Sequence, residues 1–176
     1  MATIVAAAGG GNWTTGATWV GGIAPTAADD AQLTAASGAV TIDTGAVARS
    51  LDCTGYVSTL THTAGVTLTL GDATAGTSSL AIKLVSGMTY TLGSATTSAV
   101  SLVSTASTTH KITSGGKSFG NFTATGGATK TQGYGLLDDF ITSGTLTLTG
   151  NSAINRLLLS SIFTIGVART VTAAAV

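Results

Sequence analysis

The chain has 176 residues, 8% of them charged, and a formal net charge of zero. An ordinary domain is about a quarter charged, and a neutral chain has no electrostatic pull on nucleic acid or an anionic membrane surface. No run of about 18 apolar residues occurs, so no transmembrane helix is expected, and the sparse charge points to a chain that works inside an assembly.

Glutamate is absent. All seven acids are aspartates, set against four lysines and three arginines. Threonine occurs 35 times and glycine 24 times. Threonine is β-branched, favours strands and tolerates water on an outer face. Glycine supplies turns. Strong helix formers other than Ala and Leu are scarce, so the composition predicts an all-β chain.

The start, "MATIVAAAGGGNW", lacks the basic segment of a secretory leader and reads as a first strand. Residues 10 to 33, "GGNWTTGATWVGGIAPTAADDAQL", hold both tryptophans (Trp13 and Trp19), the only proline (Pro25) and the pair Asp29 and Asp30. Such a concentration reads either as a site or as the structural opening of something long. Period-two alternation then takes over. "VTID" (40–43) sets Val40 and Ile42 on one face. "VTLTL" (66–70) sets Val66, Leu68 and Leu70 opposite Thr67 and Thr69. "MTYTL" (88–92) and "LTLT" (146–149) repeat the pattern, which is that of a half-buried strand with a threonine outer row. Further strands are expected in "LAIKL" (80–84), "VSLV" (100–103), "HKIT" (110–113), "FGNFTAT" (119–125), "INRLLL" (154–159), "FTI" (163–165) and "RTVTAA" (169–174). Turn signals lie between them, in "TAG" (63–65), "GDATAGTSS" (71–79), "SGGKS" (114–118) and "TGN" (149–151). One stretch, "GAVARSLDC" (45–53), is left open for a helical turn.

Sandwiches and barrels usually place more aromatics in their cores, and aromatics are only 5% here. Tight-hairpin dipeptides such as Asn-Gly and Asp-Gly are missing. Leu68, Leu80, Leu92 and Leu102 recur at 10 to 12 residues, which makes coils of roughly 20 residues. The expected fold is a right-handed parallel β-solenoid, with a β-sandwich or jelly roll as the alternative. Residues 1–35 would form an anchor or cap segment. Residues 36–176 would form the solenoid, continuing further or completed by a partner chain, because "RTVTAAAV" reads as a strand still in progress.

No constellation for chemistry stands out. Asp29/Asp30 and Asp138/Asp139 are adjacent pairs, and neighbours on a strand point to opposite faces. They and Asp43, Asp52 and Asp72 read as turn and cap residues. His62 and His110 have no ligand partner at a metal spacing and read as surface or edge residues. Lys111, Lys117 and Lys130 are too sparse for a nucleic-acid patch. "GGKS" (115–118) lacks the context of a phosphate loop. Tyr56, Tyr90 and Tyr134 are too scattered for a stacking platform, and Cys53 reads as a small buried residue. No catalytic residue, metal or cofactor is expected. The assembly or anchor candidates are Trp13, Trp19, Pro25, Asp29 and Asp30, with the tryptophans covering the first coil.

The opening stretch resembles that of many bacteriophage structural proteins and related bacterial surface proteins. Their pattern is a tryptophan, then T-W-x-G-G-x-x-P, a pair of acids and "VTID". The matching positions are Trp13, Thr18, Trp19, Gly21, Gly22, Pro25, Asp29, Asp30 and Val40 to Asp43, with Ala31 standing where a bulkier aliphatic is usual. "HKITSGGKSFGNFTATGG" and "SGTLTLTGNSAINRLLLSS" resemble right-handed parallel β-helix segments of phage tail and virion proteins. The resemblance implies a non-enzymatic structural protein on the virion surface, as a fibre, tail or capsid-decoration component. It would be a homo-oligomer, a trimer as first guess, and would contact other capsid or tail proteins and a host surface glycan. Alternatives are a carbohydrate-binding or depolymerising tail spike, where a resemblance to pectate-lyase-like folds would imply clustered aspartates, and a bacterial surface adhesin.

Overall fold

A computed structural model describes residues 1–71, 80–104, 109–126, 133–136, 139–142, 146–148, 151–154, 156–159, 163–165 and 171–173, with side chains over 1–71, 80–103 and 112–123. In chain order the strands are β1 (Thr3–Val5), β2 (Gly11–Asn12), β3 (Asp30–Gln32), β4 (Val40–Ile42), β5 (Val47–Ala48), β6 (Ser50–Asp52), β7 (Thr59–His62), β8 (Thr67–Leu70), β9 (Leu80–Lys83) and β10 (Thr89–Leu92). There follow β11 (Ala99–Ser104), β12 (Thr109–Thr113), β13 (Ser118–Phe119), β14 (Asn121–Gly126), β15 (Gly133–Leu136), β16 (Asp139–Thr142), β17 (Leu146–Leu148), β18 (Asn151–Ile154), β19 (Arg156–Leu159), β20 (Phe163–Ile165) and β21 (Val171–Ala173). The chain is all-β. Among the described residues the one helical element is a 3-10 turn at Gly16–Thr18, and no helix is long and apolar enough to cross a membrane.

The strands form four sheets. Eight strands run in the order β1-β3-β6-β9-β12-β15-β18-β21, four as β2-β4-β7-β10, six as β5-β8-β11-β14-β17-β20, and three as β13-β16-β19. Neighbouring strands within a sheet are parallel, as between β1 and β3, β4 and β7, β8 and β11, and β16 and β19. Sandwiches and jelly rolls are built from antiparallel strands, so that alternative does not fit. Parallel neighbours must be joined by a long connection. Here the connection passes through strands of the other sheets. The first 35 residues are hydrogen-bonded into the same sheets, since β1 and β3 begin the eight-stranded one.

Parallel, in-register pairing stacks like upon like. In the eight-stranded sheet Ile4, Ala31, Leu51, Ile82 and Ile112 lie one above another, and all but Ile4 are fully buried. Leu68, Val100 and Phe122 form a second buried column, and Leu70 and Leu102 a third. The alternate residues face out: Thr41, Thr61 and Thr91 in one row, and Thr69, Ser101 and Thr123 in another. Threonine's β-branch suits the extended backbone, and its hydroxyl meets water at no cost. Each layer is covered by the next, so Ala, Val, Leu and Ile fill most of the core, with Tyr56, Phe119 and Phe122 buried among them.

Turns with a recurring form join the strands. Ala46 N–H bonds to Asp43 O (3.1 Å), Tyr56 N–H to Cys53 O (3.0 Å) and Val66 N–H to Thr63 O (3.3 Å). The third residue of each is a glycine, Gly45, Gly55 or Gly65, with φ between +73° and +87°. That is the type II arrangement, in which a side chain at this position would be strained. The "TAG" signal falls on such a turn, while "SGGKS" forms a type I′ turn, with Lys117 N–H bonded to Ser114 O (3.0 Å) and φ of +59° and +74° at Gly115 and Gly116.

Two local expectations are corrected. "GAVARSLDC" has no helical turn. It carries β5 and β6, because Ala48 and Leu51 are both drawn into the buried stack. "FGNFTAT" is two strands divided at Gly120, where an added Cβ would come within 2.2 Å of Ser98 O. "GDATAGTSS" beyond Gly71, "TG" at 149–150, Asp72, Asp138 and Lys130 lie outside the described residues.

Leu51 lies at the middle of a buried column. Leu51→Ala is expected to cost about 2–5 kcal/mol in denaturant unfolding, whereas Thr61→Ala on the outer row should stay within about 0.5 kcal/mol of the parent.

Candidate functional site: the Trp13–Trp19 cluster

Trp13 follows β2 and Trp19 follows the 3-10 turn, and both are buried, with 1% and 2% of their surface exposed. Their rings meet edge to face, with centroids 4.9 Å apart and planes at 78°. This geometry is favoured by the ring quadrupoles beyond the area it buries. Each indole N–H reaches a main-chain carbonyl: Trp13 Nε1 donates to Val47 O (3.0 Å) and Trp19 Nε1 to Trp13 O (2.7 Å). Buried Thr18 donates its hydroxyl to Asn12 O (2.7 Å). The main chain adds Ala7 N–H to Thr18 O and Val20 N–H to Val5 O, both 2.8 Å. Residues Ala6 and Trp19 form an antiparallel bridge at this point. Gly11 makes the close approach feasible: its φ is +135°, and an added Cβ would lie 2.6 Å from Thr18 Oγ1. Pro25 is buried. With both indoles covered, neither ring offers a face for stacking on a sugar.

The adjacent acids separate, as strand geometry requires. Asp29 closes its own turn, accepting Thr26 N–H (3.2 Å) and Thr26 Oγ1–H (2.6 Å), and also accepts Ala2 N–H (3.0 Å). The Thr26 hydroxyl, followed by these main-chain donors, holds the Asp29 carboxyl below its ordinary pKa. Asp30 faces the other way, paired with the Arg49 guanidinium and accepting the Ser50 hydroxyl. Asp43 accepts Thr14 N–H (3.0 Å), and Asp52 accepts Thr54 N–H (2.8 Å). These aspartates fix turns and tether the N-terminal segment to the coil beneath it. On the outer face of the eight-stranded sheet, Thr3, Asp30, Gln32, Ser50, Asp52 and Leu80 line an open cleft of about 180 Å³. Among the described residues no three His, Cys or Asp groups are placed to share a metal ion.

His62 departs from expectation. Instead of lying at a surface or edge, it is fully buried, stacked between Ile42 and Leu92. Its Nε2 lies 3.0 Å from Val66 O and its Nδ1 2.8 Å from Tyr90 Oη. A carbonyl only accepts, so Nε2 carries a proton. Burial pushes the ring's pKa down and favours the neutral form, in which Nδ1 accepts the Tyr90 hydroxyl. Tyr90 in turn meets Phe119 edge to face, and Phe119 meets Phe122, so this tyrosine belongs to a buried aromatic chain. The Tyr56 hydroxyl lies 2.7 Å from Thr59 O and 2.9 Å from Gly38 O. Cys53 is fully buried, and burial pushes its thiol pKa up. The side chains of His110, Tyr134 and Asp139 lie outside the described residues.

No known family matches the chain, and it matches neither a curated protein nor a solved structure.

Trp19→Phe deletes one N–H and leaves Trp13 O buried without its donor. The expected loss is about 1–3 kcal/mol, read by denaturant unfolding. The His62 pKa is lowered in the folded state, so its contribution is complete above the ordinary value near 6.5. As pH falls from there toward the lowered folded value, the unfolded chain takes up a proton that the folded chain refuses, and stability drops. Unfolding midpoints measured between about pH 7.5 and 5 should show this slope, and His62→Leu should flatten it.

Proposed function

We propose that the chain is a right-handed parallel β-solenoid that serves as a non-enzymatic structural component of a bacteriophage virion, exposed as a fibre, tail or capsid-decoration element. The observation that carries the reading is the closed N-terminal end. A tryptophan cluster, its hydrogen bonds spent on strand edges, stands at the start of parallel sheets that run on from it in register. A structural element needs such an end, whereas a catalytic site needs converging reactive groups, and Asp29, Asp30, Asp43 and Asp52 are each spent on a local partner. The right hand follows from the general rule for crossovers between parallel strands of one sheet. The mechanism is mechanical: main-chain bonds between successive coils make a stiff rod, and a nearly uncharged threonine and serine surface lets protomers lie flat against one another or against a shell. A homo-oligomer, with a trimer as first guess, and contacts to other virion proteins go with this reading. The N-terminal segment around Trp13, Trp19, Pro25, Asp29 and Asp30 would dock the rod to the particle.

The cleft lined by Asp30, Gln32 and Asp52 keeps a second reading in view, a tail spike that binds host surface glycan there. Carboxylates and an amide beside one apolar side chain are groups that hydrogen-bond sugar hydroxyls.

Mass spectrometry and electron microscopy of purified particles of the encoding phage test the first reading. The chain is expected among the particle proteins, and its absence from them ends the virion assignment. Incubated with capsular polysaccharide, the purified chain should release no shorter saccharides. Robust cleavage that disappears in Asp29→Asn would overturn the non-enzymatic reading.

A further inference from the structure

Three sheets begin at one end of the molecule, and each presents an edge there. The end strands are β1 in the eight-stranded sheet, β2 in the four-stranded sheet and β5 in the six-stranded sheet. Their inward main-chain groups are used by the next strand. Asp30 N–H bonds to Ala2 O, Trp13 N–H to Thr41 O, and Thr69 N–H to Ala46 O. Alternation along a strand then turns Val5 O, Asn12 O and Val47 O outward, toward whatever would add next. An unprotected row of this kind is a template for pairing with another chain.

One segment, Asn12–Val20, bonds an outward group on each of the three edges, and it does so without adding a strand. Val20 N–H takes Val5 O, and Thr18 O takes Ala7 N–H beside it. The Thr18 hydroxyl and Thr15 N–H both take Asn12 O. The Trp13 indole takes Val47 O. Two of these donors, an indole and a hydroxyl, are side chains, which end a ladder because they offer no further main-chain group. The bridge at Ala6 and Trp19 is antiparallel, against the direction of every sheet.

We infer that Asn12–Val20 is a stop against end-to-end addition of a second copy of this chain. The occupant it excludes is set by sheet continuity. The eight-stranded sheet runs parallel from β1 to β21 and the six-stranded one from β5 to β20. The far strands of another copy therefore run in the direction that β1 and β5 would accept. Such a contact joins two different surfaces, repeats without closing and builds a filament. The stop rests on the sheet edges and not on the virion assignment, so absence of the chain from particles would leave it standing.

The test removes capping donors while keeping shape. Thr18→Val deletes one hydroxyl at nearly constant volume. Val20→Pro deletes one N–H. The Val20 side chain is 63% exposed, and Trp19 before it is extended (φ −117°, ψ 144°), as a residue preceding proline must be. Thr18→Val/Val20→Pro is the milder variant, which frees Val5 O and leaves Asn12 O with the Thr15 N–H alone, and adding Trp13→Phe frees Val47 O. Circular dichroism and denaturant unfolding establish that each is folded. Sedimentation velocity and electron microscopy then follow association with concentration. The folded variants are expected to form unbranched filaments at a concentration at least about tenfold below any at which the parent does. Their fibre diffraction should show a repeat of about 4.8 Å along the axis. Folded variants that stay in the parent's state at every concentration would overturn the inference, and so would parent filaments at the same concentration. Loss of the folded state in the milder variant would assign these bonds to stability alone and overturn it equally.

Discussion

Everything in this molecule depends on one arrangement of main-chain hydrogen bonds, the parallel pairing of each strand with a strand roughly one circuit away in sequence. Backbone groups that are buried must be paired, and among the described residues no strand pairs with its sequence neighbour. The chain therefore has to complete a turn through other sheets before any strand finds its partner. This requirement sets the coil, and the coil sets the columns. Once Ala31 lies on Ile4, Leu51 follows on Ala31 and Ile82 on Leu51. The pairing also explains why circuits differ in length. Asp30 pairs with Ser50, but Leu51 pairs with Ile82, and the connections take up the difference while the register holds.

The same pairing accounts for the polar residues. An aspartate on a coil with few charges is most useful where a turn leaves N–H groups without partners, and Asp29, Asp43 and Asp52 are all used in that way. The ion pair of Asp30 and Arg49 ties β3 to the bend that leads into β6. His62 is the exception that the stacking tolerates. It takes an aliphatic position in its column because a carbonyl on one side and a phenol on the other satisfy both ring nitrogens.

Alternation was legible wherever a strand was long enough to show it. "VTLTL" and "MTYTL" announced their buried and exposed faces, and the threonine rows followed. Two-residue strands such as Val47–Ala48 carry no period to read, so β5 has no signature that separates it from a helical turn. Burial of His62 had a signal, its placement two residues after Leu60 on the same face, which a polar side chain obscured. The concentration of Trp13, Trp19 and Pro25 marked the N-terminal segment as unusual. What it could not reveal is the bond from Trp13 to Val47 O, because nothing local in a sequence points to a carbonyl that lies 34 residues away. Sheet membership was hidden for the same reason.

Cys53 gives the stacked core a built-in clock. Its side chain is fully buried at the turn that Tyr56 closes, and Cys53 N–H is bonded to Lys83 O at the end of β9. Burial also disfavours the thiolate, which is the form that reacts. A thiol reagent therefore meets this group only after neighbouring strands have parted, and its slow consumption counts how often the stack opens there. A chain with a single cysteine records that opening at one known layer, without any label being introduced.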